Sequence, residues 1–289
     1  MYVHGANLEQ KEGHPSKYGD PRSRQFLKEI RVKYDEWKAA NEALKGPSAK
    51  ISEEDSATIQ KRVELLNNYK NFLDQRKYAE QFDSRSNLHS SVLEEFMYYL
   101  FHDLIKSISK DALVGKSHTF KDMFFRPSSY ADMLRYPRAM IERKDHDFAI
   151  GVKLAMHLTC VGQDDGESNV LDLPAMAIEC KTYLDKTMLQ DAATAAEQLK
   201  HRNPNAVYVV VAEWLKLTEK VNLKKYKIDQ IYVLRKQKNT DREFRYEDGY
   251  EKNPIYPDAV KHLFDLTRTF LTTPWEGGIE FGLNRGFLL

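Results

Sequence analysis

In LPAMAIECKTYL, residues 173 to 184, a glutamate and a lysine one residue apart interrupt a run that is otherwise largely apolar. Successive side chains of a strand point to opposite faces, so Glu179 and Lys181 share one face while Ile178, Cys180 and Thr182 share the other. The neighbours Ala175, Met176, Ala177 and Ile178 read as buried on both faces, and charge left unpaired in such a place is costly. The strand therefore has to end in a site that compensates two charges. The E-x-K pattern alone is weak, since it recurs at Glu9, Glu36 and Glu142 in polar or helical surroundings, where a solvated ion pair is the plain reading.

A partner for the pair lies upstream. DFAIGVKLAMHLT (147 to 159) and LPAMAIECKTYL flank the polar turn GQDDGES, the pattern of a β-hairpin. A turn centred near residue 164 places residue 147 opposite about residue 181, which brings Asp147 beside Glu179 and Lys181. Two carboxylates with main-chain carbonyls form a hard-oxygen site suited to Mg²⁺. A lysine beside such an ion can orient or deprotonate a water and steady developing charge on phosphorus. The chemistry implied is metal-assisted phosphodiester hydrolysis.

The segments that follow complete an α/β pattern. Residues 185 to 200 read as an Ala-rich helix capped by Asp185, VYVVVAEW (207 to 214) and IDQIYVLR (228 to 235) as buried strands, and 258 to 271 as a closing amphipathic helix. Strand, helix, strand in that order implies a parallel crossover added to the antiparallel hairpin. Upstream, residues 1 to 20 read as a loose arm, Pro21 to Leu44 and 52 to 82 as two amphipathic helices, and LHSSVLEEFMYYLFHDLI (88 to 105) as a far more apolar helix. Residues 115 to 146, with Pro127, Pro137 and a basic cluster of Arg135, Arg138, Arg143 and Lys144, read mostly as loop. The expected division is an N-terminal arm and helical subdomain over 1–85, then a catalytic domain over 86–289.

Composition excludes several classes. Net charge is +1, so any nucleic-acid footprint has to be local. Cys160 and Cys180 are too few for a disulfide framework, the N-terminus has no apolar signal region, and no run approaches the roughly 18 apolar residues of a membrane span. A soluble cytoplasmic protein is expected. Zinc-type H-E-x-x-H spacing, a G-x-S-x-G elbow and a glycine-rich phosphate loop are all missing from the sequence.

Asp147 followed by Glu179-Cys180-Lys181 at the end of a hairpin, then a helix and a buried strand, resembles the PD-(D/E)XK nuclease core, with His146 where that name has its proline. Asp145 is the rival first acid. In that superfamily a glutamate on the helix before the hairpin often joins the metal site; SSVLEEF offers Glu94 and Glu95, of which Glu94 better matches the motif. IECKTYLDKTMLQDAATAAEQLKHRNPNAVYVVVAEW is more specifically similar to BbvCI-type heterodimeric type II restriction endonucleases, over about residues 86 to 235. The resemblance implies a mixed β-sheet flanked by helices and Mg²⁺-dependent cleavage of double-stranded DNA at a specific sequence, one strand per subunit. It also implies a related second subunit, or else a homodimer, and no membrane partner. Asp147, Glu179, Glu94 and the Cys180 carbonyl would hold the metal, and Lys181 would position the water. DNA contacts are expected from residues 116 to 144 and 236 to 256, with Gln198 and Lys200 near the backbone. The alternatives are a structure-specific repair or recombination nuclease, and a non-catalytic DNA-binding protein.

Overall fold

The computed structural model describes residues 2–82, 87–238, 249–275 and 279–286. Helices α1 (Val3–Glu12), α2 (Pro21–Ala43), α3 (Asp55–Leu73), α4 (Arg76–Gln81) and α5 (Ser90–Ile108) come first. Then follow β1 (Leu113–Phe125), the short α6 (Tyr130–Met133), β2 (Ala139–Thr159), β3 (Gly166–Leu184), α7 (Lys186–Arg202), β4 (Val207–Leu215), β5 (Gln230–Val233), α8 (Pro257–Thr272) and α9 (Ile279–Arg285). Among the described residues the strands form one sheet in the order β1-β2-β3-β4-β5. The first three are antiparallel neighbours, and β3, β4 and β5 run parallel. This is the mixed sheet flanked by helices that the sequence pattern implies.

Local chemistry accounts for the elements around the sheet. Asp20 caps α2 by accepting from the Ser23 N–H, Pro21 opens the helix, and Phe26, Leu27, Ile30, Tyr34 and Trp37 form its buried stripe. Ile59, Val63, Leu66, Tyr69 and Leu73 do the same for α3. Helix α5 is buried on nearly every side because it lies between these helices and the sheet, its Phe101 ring 5.8 Å from Phe148 on β2. Parallel pairing of β3 with β4 needs a crossover, which α7 supplies. Asp185 caps α7 through the Met188 N–H, and the small Ala192, Ala195 and Ala196 let the helix settle on Ala177, Tyr208, Val210 and Ala212 of the sheet.

Three expectations are corrected. The expected loose arm over 1 to 20 holds a helix at Val3–Glu12: α1 forms because the buried Glu95 carboxylate accepts from the N–H groups of His4 (2.9 Å) and Gly5 (3.1 Å), an anion at a helix N-terminus supplied from another helix. Residues 116 to 144 are not loop but the β1–β2 pair with α6 at its tip, and their charged side chains project from strands. The hairpin register also differs by two: Phe148 pairs with Ile178, which sets Asp147 level with Glu179.

The N-terminal helices share a continuous core with the sheet. Leu27, Trp37, Leu66 and Tyr69 belong to the same apolar cluster as Phe148, Met176, Ile178, Val209 and Val211. A fully buried ionic bridge adds to this: Lys70 Nζ on α3 lies 2.6 Å from Glu213 Oε1 on β4, and Arg235 Nη2 lies 3.0 Å from Glu213 Oε2. The expected boundary at 85/86 lies outside the described residues.

Candidate active site

Asp147, Glu179 and Lys181 meet where β2 and β3 leave the core. The Asp147 Oδ2 accepts from the Cys180 N–H at 2.9 Å, which fixes the carboxylate against β3. Lys181 Nζ lies 2.6 Å from Glu179 Oε1 and 3.9 Å from Asp147 Oδ2, so one ammonium serves both acids. Tyr208 on β4, fully buried, donates its hydroxyl to Glu179 Oε2 at 3.3 Å. Glu94 reaches the same place from α5, where Lys116 Nζ of β1 lies 3.3 Å from its Oε2. Glu94, Lys116, Asp147, Cys180 and Lys181 line one cleft of about 270 Å³. Beside it, a groove of about 610 Å³ is lined by Lys121, Arg143, Lys144, Glu179, Lys181 and Gln198.

The alternatives noted in the sequence stand elsewhere. Asp145 is exposed on β2 and pairs with His118. Glu95 is fully buried, accepting from Tyr34 (3.0 Å) and Tyr99 (2.7 Å) as well as from α1, which makes it an anchor for the helices. Lys200 pairs with Asp229, whereas Gln198 faces the groove. Of the stretch 236 to 256, residues 239–248 lie outside the described residues.

Charge at the cleft is only partly compensated. Burial, then the charges of Glu179 and Glu94, push the Asp147 carboxyl up to about 7. Burial likewise raises Glu94, against the pull of Lys116. For Lys181, burial works against the ammonium but is outweighed by Glu179 and Asp147, so its pKa rises and it stays protonated at neutral pH. His146, held beside Tyr208 at 5.8 Å, is driven down to about 4 by burial and is neutral.

An acid raised this far is one that a cation would relieve, and the donors are hard oxygens of the kind Mg²⁺ takes. Among the described residues no three His, Cys, Asp or Glu side chains are gathered as a finished metal cage. The Lys181 ammonium lies against Glu179 and Asp147 instead, so a divalent ion would compete with it. The donor chemistry fits the ion implied by the sequence.

Sequence reasoning passed over Lys116 and Tyr208. The tyrosine carried a signal, a lone polar group inside VYVVV; the lysine carried none, because its position depends on a strand read as loop.

Comparison with known proteins sets this geometry in a class. A chain from a solved structure, titled "native BbvCI A2B2 tetramer at low resolution", superposes with a TM-score of 0.70 over 94% of this chain and 96% of that one, at 20% identity. The two chains thus share a fold. The Bpu10I restriction endonuclease family matches residues 85–287, and the chain belongs to that family. Membership gives the activity class, DNA endonuclease. A search among curated proteins finds no match. Among the described residues no helix is long and apolar enough to cross a membrane.

Proposed function

We propose that the chain is a subunit of a type II restriction endonuclease that hydrolyses phosphodiester bonds at a specific double-stranded DNA sequence with Mg²⁺, one strand per subunit, in the cytoplasm. The observation that carries this reading is the convergence of Asp147 and Glu179 on the Lys181 ammonium, with Glu94 of α5 lining the same cleft as Asp147 and Lys181. Asp147, Glu179, the Cys180 carbonyl and Glu94 would hold the ion. A bound divalent ion would polarise the phosphoryl oxygen and lower the pKa of a water.

The chain's own groups do the rest. Lys181, kept protonated by its two acids, donates to the attacking water and places positive charge where negative charge develops on phosphorus; it acts as a donor and not as a base. The Cys180 N–H holds Asp147 and the Tyr208 hydroxyl holds Glu179, so neither carboxylate has to be ordered during the reaction. Lys121, Arg143, Lys144 and Gln198 give the adjoining groove the donors to follow a phosphate backbone. The structural neighbour's title names an A2B2 tetramer, which supports assembly with a related second subunit. In this scheme 1–85 is a helical subdomain that backs α5, and 86–289 is the catalytic domain.

The test is incubation with plasmid DNA and Mg²⁺, alone and with a related subunit, beside Lys181→Ala and an EDTA control. Discrete linear or nicked products that vanish in both controls are expected, with duplex binding by Lys181→Ala nearly intact. Wild-type cutting by that variant would refute the assignment, and products only at branches or mismatches would make the enzyme a structure-specific nuclease.

A further inference from the structure

Lys116 stands in the cleft without a part in the scheme above. Its side chain is 43% exposed while that of its partner Glu94 is 9% exposed, so the lysine is free to swing on its four-carbon stem and the glutamate is not. The backbone explains its presence. Between the pairs Gly115↔Ala149 and Ser117↔His146, two residues of β2, Asp147 and Phe148, oppose the single residue Lys116 of β1. That is a β-bulge, a device that re-aims side chains and recurs beside active sites. Gly115 holds φ at +118°, a region that residues with a Cβ avoid, and apart from its own chain neighbours no atom lies within 4 Å of where its Cβ would stand. Conformation, not space, therefore calls for glycine there. One irregularity delivers an acid from β2 and a lysine from β1 to the same opening.

We propose that Lys116 is a second positioning cation of the site: it holds the Glu94 carboxylate aimed into the cleft of the free protein, and moves to a phosphate of the DNA strand once a divalent ion takes over the charge of Glu94. The proposal rests on the nuclease reading. Its physical content is an exchange of partners. In the free protein the lysine competes with the metal for Glu94; in the complex it adds one phosphate contact.

Removing Lys116 thus has opposite effects on two equilibria, whereas loss of a side chain that only supports the fold weakens both. The experiment uses the full chain as Lys116→Ala, Lys116→Gln and Lys116→Arg; the glutamine variant keeps the stem should the alanine variant fail to fold. Ca²⁺ binding without DNA is followed by calorimetry, and binding of a mixed-sequence duplex in saturating Ca²⁺ by anisotropy across a salt series.

The alanine and glutamine variants are expected to bind Ca²⁺ about fivefold more tightly, because one competing charge is gone. They are expected to bind the duplex roughly tenfold more weakly, with the salt slope smaller by about 1, while the arginine variant retains duplex binding. An unchanged duplex affinity and slope, or a parallel loss of Ca²⁺ and DNA binding, overturns the proposal. Plasmid cleavage separates the two levels: a wild type that cuts beside Lys116 variants with unchanged binding sinks only this inference, and a wild type that never cuts sinks the nuclease reading itself.

Discussion

Asp147→Asn is expected to stabilise the metal-free protein while abolishing cleavage, and the size of the gain depends on pH. Burial, Glu179 and Glu94 raise this carboxyl from 3.8 to about 7. At about 1.4 kcal/mol per pKa unit, an ionised Asp147 costs the fold at most about 4 kcal/mol relative to the unfolded chain. The folded chain holds the proton more tightly than the unfolded one, so the cost is absent below the unfolded pKa. It grows as pH rises from 3.8 to about 7, then levels off. An asparagine amide carries none of this charge and still accepts from the Cys180 N–H, and the pull of Lys181, 3.9 Å distant, is already contained in the raised value. About 1 kcal/mol of the cost is present at pH 4.5, so a net widening of roughly 3 kcal/mol between pH 4.5 and pH 8 is the expected result. Urea unfolding of both proteins in EDTA at the two pH values measures it. A difference that stays constant or narrows as pH rises would show that Asp147 is not the strained acid described here. Mg²⁺ is expected to close the gap from the wild-type side, since only the wild type keeps the full acid set.

Two further outcomes follow from other parts of the structure. Glu213→Gln leaves Lys70 and Arg235 buried without their shared anion, and is expected to cost about 3–5 kcal/mol in urea unfolding; a loss below about 1 kcal/mol would mean that the two cations find other partners. Gly115→Ala has room for its methyl group but not the backbone freedom, so a loss of about 1–3 kcal/mol is expected together with a fall in cleavage that persists at temperatures where the variant is fully folded. Full activity in the folded variant would separate the bulge from the site.

The elements legible in the sequence were those whose burial is one-sided or complete: the stripes of α2 and α3, the apolar α5, the Ala-rich α7 and the strands β3 and β4 all show as periodicity. The elements that escaped are stabilised from a distance. Helix α1 has no apolar stripe to speak of and depends on Glu95, some ninety residues away, for its N-terminal N–H groups. Strand β1 alternates buried and exposed side chains only over its first half and then runs out as an exposed arm in which Phe124 and Phe125 face solvent, so its sequence shows no sustained strand period. The hairpin register was two residues off because a turn's centre cannot be read to better than a residue when its loop is polar throughout, and each residue of error there moves the partner by two.

The same distinction separates what was legible in the site from what was not. Glu179 and Lys181 declared themselves because charge inside an apolar strand is costly wherever it occurs, whatever surrounds it. Lys116 and Tyr208 matter only through what they face, Glu94 and Glu179, and a residue defined by its partner has no signature of its own. Asp147 stands between the two cases: the hairpin pattern brought it near β3, but its aim depends on the bulge opposite Lys116, which breaks the regular pairing that the pattern assumes. In the proposed site, the irregular step between β1 and β2 is what places Asp147 and Phe148 together opposite Lys116, so the lysine reaches the cleft through a break in the pairing and not through the alternation that a sequence pattern records.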